Sequence, residues 1–193
     1  GGWAQDLFVC APGTGMAEAA SVADYQRRAR AVVDGLRASR RTPVLVGGSG
    51  LYDLPGLEGG EWRKIDSPWG EPSDMVRVGS IAGRKIVFLP RHGRGHRFSP
   101  SGINYRANID VLKRAGVTDV VSVSACGSLK EELPPGHFVL VDQFIDRTWG
   151  RPGTFFGDGL VAHVSFADPT CGELGPLAAR AAREAGAVVH EAG

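Results

Sequence analysis

Four short apolar runs stand out, Val44–Val46, Lys85–Leu89, Asp119–Val123 and Phe138–Val141; the first three break abruptly into turn-forming residues, and the fourth is entered through Pro134-Pro135-Gly136. The run over 119–123 is almost continuously β-branched, the pattern of a strand buried on both faces of a parallel sheet. Between such runs lies helical spacing. Ile109, Leu112 and Ala115 share one face of a predicted helix over Ile103–Ala115, with Gly116 as its stop. A second helix is predicted over roughly 172–185, introduced by Ser165 and Asp168 and ended by Gly186. Met75–Val78 pairs with Lys85–Leu89 through an Ala82-Gly83 hairpin turn, and Val188-Val189 begins a further strand. This alternation restricts the chain to an α/β domain, a central sheet with helices packed on it. An apolar strand starting so close to Gly193 makes the sheet read as incomplete at its C-terminal side.

The first 43 residues read differently, as an extension ahead of a domain over 44–193. Residues 1–20 are rich in Gly and Ala without a clear period and are expected to be disordered. A helix is predicted over 21–39, capped by Ser21 or Asp24, with Tyr25, Ala29, Val32, Val33 and Leu36 at helical spacing. Arg41-Thr42-Pro43 connects it to the first strand of the domain.

Bulk properties exclude several classes of function. A net charge of +1 gives no electrostatic case for nucleic acid or an anionic membrane. No apolar run approaches a membrane span, and Gly1–Gly15 lacks the basic and apolar regions of a signal peptide. Cys10, Cys126 and Cys171 make neither a CxxC motif nor an even set, so they point to reduced thiols in a cytoplasmic protein and not to a zinc site.

The chemistry is carried by the segments at the strand ends. After 44–46 come Gly47-Gly48-Ser49-Gly50; after 85–89, Pro90-Arg91-His92-Gly93-Arg94-Gly95-His96-Arg97; after 119–123, Ser124-Ala125-Cys126-Gly127-Ser128. Ligands of open α/β sheets sit beyond the carboxyl ends of strands. Glycine and serine turns offer converging amides and hydroxyls to an anion, and arginine offers a planar fork. Any one of these segments alone reads as an ordinary turn or a solvated loop. Three at equivalent positions describe a phosphate or similar oxyanion site at the mouth of the sheet. There is no GxxxxGK[ST] and no GxGxxG after the first strand, so neither a P-loop nor a dinucleotide fingerprint explains it.

From Gly47 to about Ala187 the chain resembles the trimeric purine nucleoside phosphorylase family, in its methylthioadenosine phosphorylase branch. The segments that carry the resemblance are GGSGLYDLPGLE, DSPWGEPSD, VFLPRHGRGHRFSPSGINYRANI, SVSACGSLKEELPPG, DQFIDRT and HVSFADP. The resemblance implies a phosphorylase-type central mixed sheet flanked by helices. It also implies attack of inorganic phosphate on the anomeric carbon of a purine nucleoside, releasing base and a ribose 1-phosphate. No metal or cofactor is implied beyond phosphate as co-substrate. The residues implied as phosphate ligands are Ser49, Arg91, His92, Ser124 and Ala125, the last through its backbone N–H. Cys126 and Gly127 would line the base and sugar pocket, with Ala125 beside them, and His163 would reach a neighbouring subunit's pocket in a homotrimer. No residue is assigned as acid or base.

Other residues of these segments have blander readings. Arg94, His96 and Arg97 read as loop or interface groups, Arg106 as a secondary phosphate candidate, Asp53 as a turn residue, and Asp142, Asp146 and Arg147 as an ion-pair cluster supporting the site. Cys126 reads as a small packed residue, because phosphorolysis needs no sulfur nucleophile.

Two departures accompany the resemblance. The family domain continues past the equivalent of Gly193, so weak or no turnover is expected of this polypeptide alone, with an inactive phosphate- or nucleoside-binding fragment as the alternative. Methylthioinosine or inosine is the alternative substrate. Residues 17–52, with SVADYQRRAR and TPVLVGGSGLY, resemble instead an internal piece of bacterial tRNA dimethylallyltransferases. Prenyl transfer is not expected, since residues 1–16 carry no GKT/S. The two resemblances overlap at Gly47–Tyr52, as a joined sequence would produce.

Overall fold

A computed structural model describes residues 6–12, 43–47, 54, 56–157 and 159–193. In chain order the elements are β1 (Asp6–Pro12), β2 (Pro43–Gly47), β3 (Glu58–Arg63), β4 (Val76–Ile81), β5 (Arg84–Pro90), α1 (Tyr105–Arg114), β6 (Asp119–Cys126), β7 (Phe138–Leu140), α2 (Leu174–Glu184) and β8 (Val189–His190). These eight strands join one sheet in the order β3-β4-β5-β2-β6-β1-β7-β8. β5, β2, β6 and β1 run parallel to one another, and β7 pairs parallel with β8. The β3-β4, β4-β5 and β1-β7 pairs are antiparallel, which makes the sheet mixed, as expected.

Alternation along the strands sends neighbouring side chains to opposite faces. Ile86, Phe88, Val121 and Val123 join a core with Phe138, Leu140 and the α2 residues Leu174, Ala178, Ala179 and Ala182. Val87, Leu89 and Val120 join a second core with Val111 and Leu112 of α1. The two helices therefore cover opposite faces, and the sheet is the middle layer. Alanines on α2 let its backbone come close; a Cβ added at Gly175 would meet Leu140 at 3.2 Å.

Both helices end as expected. Asn104 caps α1, its side-chain oxygen accepting from the Ala107 amide at 3.1 Å. At the other end Gly116 has φ +84°, and the Val117 amide donates back to the Leu112 carbonyl at 3.1 Å. Gly186 repeats the device after α2, with φ +82° and Ala187 donating to Ala182 at 2.9 Å. The β4-β5 turn is built from Ala82 (φ 51°) and Gly83 (φ 75°), the left-handed pair that a two-residue hairpin requires.

Three places depart from the expectations. Asp6–Pro12, expected within a disordered start, is a strand inside the sheet. Its Leu-Phe-Val-Cys-Ala run shows no alternation, which is the pattern of an interior strand of a parallel sheet and not of a half-solvated one. Glu58–Arg63 forms an unexpected edge strand with an irregularity between Glu58 and Glu61, where Gly59 and Gly60 hide the β pattern. The strand expected to end at Val123 continues to Cys126. The helix expected over 21–39 lies outside the described residues.

Candidate functional site

Register fixes which strand ends meet. Gly47 is paired with Pro90 on one side and Val123 on the other, and Val123 is paired with Val9, so these four residues form one row across the sheet. One step further along lie Arg91 and Ser124, with Cys10 paired to Ser124. The backbone thus carries Arg91, His92, Ser124 and Ala125 to one edge, at the carboxyl ends of parallel strands.

Arg91 and Ser124 meet there. Arg91 Nη1 donates to Ser124 Oγ at 3.1 Å, and Nη2 lies 3.5 Å from His92 Nε2. The buried Nε of Arg91 has no partner among the described residues, so one donor of the fork remains unused. His92 is 6% exposed, and its Nδ1 lies 2.9 Å from the Phe98 carbonyl. That acceptor makes Nδ1 the protonated nitrogen and leaves Nε2 with its lone pair toward Arg91. Burial holds the imidazole below its usual pKa; the charges of Arg91 and His96 push the same way, against the Phe98 hydrogen bond. His92 is therefore neutral at pH 7. The His96 ring stacks on it at 4.4 Å and 10°.

The 91–98 loop is held in place from beneath. Phe98 N donates to His92 O at 3.1 Å, returning the contact that His92 Nδ1 makes to Phe98 O. Asp74, 8% exposed, receives Arg94 Nε at 3.1 Å, Arg94 Nη2 at 2.9 Å, Arg94 N at 2.7 Å and Met75 N at 2.9 Å. Burial pushes its carboxyl pKa up, but the Arg94 and Met75 hydrogen bonds outweigh this and hold it below the usual value. Ser73 and Asn108 exchange two hydrogen bonds, at 2.8 and 2.9 Å, tying the Asp74 segment to α1. Arg97 Nη2 donates to Ser73 O at 3.1 Å. The Arg94 guanidinium also lies 4.2 Å over the Trp62 ring. Arg94 and Arg97 thus act as loop anchors.

The other expected residues are scattered. Ala125, Cys126 and Gly127 continue from Ser124 along the sheet edge; Cys126 is a free, half-buried thiol, and Ala125 and Gly127 are exposed. His163 is exposed, within a stretch that also exposes Leu160, Val161, Val164 and Phe166, and among the described residues no hydrogen bond joins it to Arg91 or Ser124. The Arg106 guanidinium lies 4.9 Å over Trp69, and its buried Nε has no hydrogen-bond partner among the described residues. Ser49 lies outside the described residues, as does Asp53. The expected ion-pair cluster of Asp142, Asp146 and Arg147 is not formed among the described residues. Asp146 accepts instead from the Thr148 amide two residues on, at 2.8 Å, a local side-chain-to-backbone bond, and Asp142 accepts from the Gly193 amide at 3.3 Å. Sequence reasoning did not single out Asp74, whose signal is only an acidic residue in a Pro/Ser turn 20 residues before its partner.

The chain is similar to known proteins. Residues 14–66 match the IPP transferase family, and residues 43–193 match the family described as the Phosphorylase superfamily. The S-methyl-5'-thioadenosine phosphorylase of Cereibacter sphaeroides is 60% identical over 149 residues, covering 77% of this chain and 51% of that protein. Its Bradyrhizobium diazoefficiens counterpart is 64% identical over 149 residues, again 77% of this chain and 51% of that protein. Among solved structures, the methylthioadenosine phosphorylase from Schistosoma mansoni in complex with adenine superposes with a TM-score of 0.74 at 36% identity, covering 80% of this chain and 63% of that chain. A methylthioadenosine phosphorylase sourced from an antarctic soil metagenomic library gives 0.66 at 53% identity, covering 69% and 46%. The chain spans about half the length of the curated relatives it matches. The family match extends over most of the chain and takes in every strand from β2 onward, Arg91, His92 and Ser124 included: the chain belongs to the phosphorylase superfamily.

Proposed function

We propose that this chain carries the phosphate half of a phosphorolytic site acting on a purine nucleoside, with 5'-methylthioadenosine as the substrate and adenine and 5-methylthioribose 1-phosphate as products. The observation that carries the reading is the Arg91–Ser124 contact at the carboxyl edge, with a buried Arg91 Nε still to be satisfied. The similarity to proteins named S-methyl-5'-thioadenosine phosphorylase supports the substrate.

In this reading phosphate displaces none of the loop anchors. Arg91 binds its oxygens through the fork, Ser124 Oγ and the Ala125 N–H donate to it, and Ser49 is the remaining phosphate ligand. His92, neutral and fixed through Phe98, presents Nε2 as an acceptor for a phosphate hydroxyl and keeps Arg91 aligned. One phosphate oxygen attacks C1′ as the glycosidic bond breaks; the bonding electrons leave with the purine, which takes up the proton that the phosphate hydroxyl gives up. The sugar gains oxocarbenium character, which the adjacent phosphate charge stabilises. Cys126 and Gly127 form the floor for base and sugar, and His163 completes the pocket of a neighbouring subunit in a homotrimer. The reaction takes phosphate as co-substrate, with no metal or other cofactor, in the cytoplasm.

The test is release of adenine from methylthioadenosine, monitored by chromatography with and without phosphate. Phosphate-dependent release supports the reading, and release of hypoxanthine from inosine or methylthioinosine in its place refutes the substrate. A second reading rests on the Arg91–Ser124 contact alone: the described residues bind phosphate without turnover. Phosphate binding by calorimetry with no adenine release selects it.

A further inference from the structure

Among the described residues, Ala82 and His96 are the two non-glycine positions with positive φ. Ala82 belongs to the β4-β5 hairpin turn, which requires it. His96 belongs to the loop that carries Arg91 and His92. Gly93, Gly95 and His96 have φ of +71°, +77° and +54°, three left-handed residues within four. The His96 amide closes this turn, donating to the Gly93 carbonyl at 3.0 Å. Glycine or asparagine at 96 would meet the backbone demand alone. The chain instead places an imidazole there, and a residue with a Cβ keeps such a conformation when its surroundings hold it.

The His96 ring lies flat on His92, with centroids 4.4 Å apart and planes 10° apart. His92 is buried and His96 exposed, so the outer ring covers a face of the inner one. The two edges of His92 are held unequally. Nδ1 meets the Phe98 carbonyl at 2.9 Å, a full hydrogen bond, whereas Nε2 lies 3.5 Å from the Arg91 guanidinium, too far to fix the ring. A single bond at one edge leaves the imidazole able to tilt about it. A flat neighbour against the face removes that freedom and keeps water from the same side.

We propose that His96 is a positioning residue for His92: its ring, carried on a left-handed turn, fixes the plane in which His92 Nε2 faces Arg91 and the bound phosphate. The role toward phosphate rests on the phosphorolytic reading; the placement of the His92 ring stands on the stack alone.

His96→Gly and His96→Asn, made in the full chain, remove the ring while fitting φ +54°. Their urea midpoints are expected to match or exceed that of the unaltered chain, because the backbone conformation suits both residues. Phosphate affinity, measured by calorimetry at about pH 8 where a histidine charge contributes little, is expected to fall about three- to tenfold, the range of one aromatic pair. The His92 Nδ1 proton, followed by NMR in chain labelled at its histidines and assigned through His92→Asn, is expected to exchange with water about three- to tenfold faster in both variants. A His96 that serves only the loop's stability would move the urea midpoint and leave the other two readings alone. Unchanged exchange overturns the placement of the ring, and unchanged affinity overturns the role toward phosphate. If the unaltered chain binds no phosphate, the phosphorolytic reading and the role toward phosphate fail together, while the exchange of the His92 proton decides the placement by itself.

Discussion

Asp74→Ala tests the claim that the loop carrying Arg91 and His92 is held by one buried carboxylate. The side chain is 4% exposed and receives two bonds from the Arg94 guanidinium, at 3.1 and 2.9 Å, and two backbone amides, at 2.7 and 2.9 Å. Hydrogen bonds to a charged group contribute about 1.5–3 kcal/mol each, but they are not additive. The Arg94 side chain is 45% exposed and recovers water when its partner is removed, which discounts its share to the surface range of about 0–1 kcal/mol. The amides of Arg94 and Met75 then dominate, and because bonds to one carboxylate are not additive they together contribute about 2 kcal/mol. The expected total is about 2–3 kcal/mol, read as a lower urea midpoint with an unchanged slope. Because Arg94 N lies three residues from Arg91, phosphate affinity should fall as well, about tenfold, and Asp74→Asn should recover part of both losses by keeping acceptor geometry. A cost below about 1 kcal/mol with unchanged phosphate affinity refutes the loop-anchor argument, since the 91–98 loop would then be held by Ser73 and Phe98 alone.

The remaining tests address single parts of the structure. Arg91→Ala should weaken phosphate binding by about 1.5–3 kcal/mol in calorimetry, roughly 10- to 100-fold, while Arg91→Lys keeps the charge, loses the fork and recovers only part. Gly93→Ala should cost about 2 kcal/mol or more in urea unfolding, because φ is +71° and the new Cβ would lie 2.9 Å from the Ser73 carbonyl oxygen. Phe88→Ala should cost about 3–5 kcal/mol, the range for emptying a fully buried aromatic site in the sheet core. His92 has a folded pKa below its ordinary 6.5, so the unfolded chain takes up the proton first. Its penalty is absent above the ordinary value and grows as pH falls from 6.5 toward the folded pKa; His92→Asn should flatten the pH dependence of the urea midpoint in that window. Asp74 acts in a separate window: its folded pKa lies below the ordinary 3.8, so its stabilisation is full above that value and is lost as pH falls through the lower, folded one.

Arg91, His92 and Ser124 could be foreseen as neighbours because each lies just past a strand core, and parallel strands bring their carboxyl ends to one edge. That inference needs only strand periodicity and topology. The supports were not legible in the same way. Asp74 and Arg94 are 20 residues apart with a hairpin between them, and Ser73 and Asn108 are 35 apart, so nothing local marks them as partners. His92 was legible as polar but not as neutral, since its protonation is set by burial and by a carbonyl six residues on. β1 was hidden by the opposite problem. Seven residues lying between two strands carry no alternation, and the Gly- and Ala-rich context around them pointed to disorder.

β2 shows why sequence origin and structural role separate. Its residues Pro43–Gly47 fall inside both family matches, which overlap over 43–66. A strand flanked by β5 and β6 has both backbone edges paired, so its neighbours ask only for apolar, β-branched side chains and a turn that starts on time. Val44-Leu45-Val46 followed by Gly47 meets that demand whichever family supplied it. β1 makes the same argument more strongly, because it lies outside the phosphorylase match and still pairs on both sides. The middle of this sheet selects for pattern and register; Arg91, His92 and Ser124, whose chemistry cannot be supplied by pattern, all lie within the matched region.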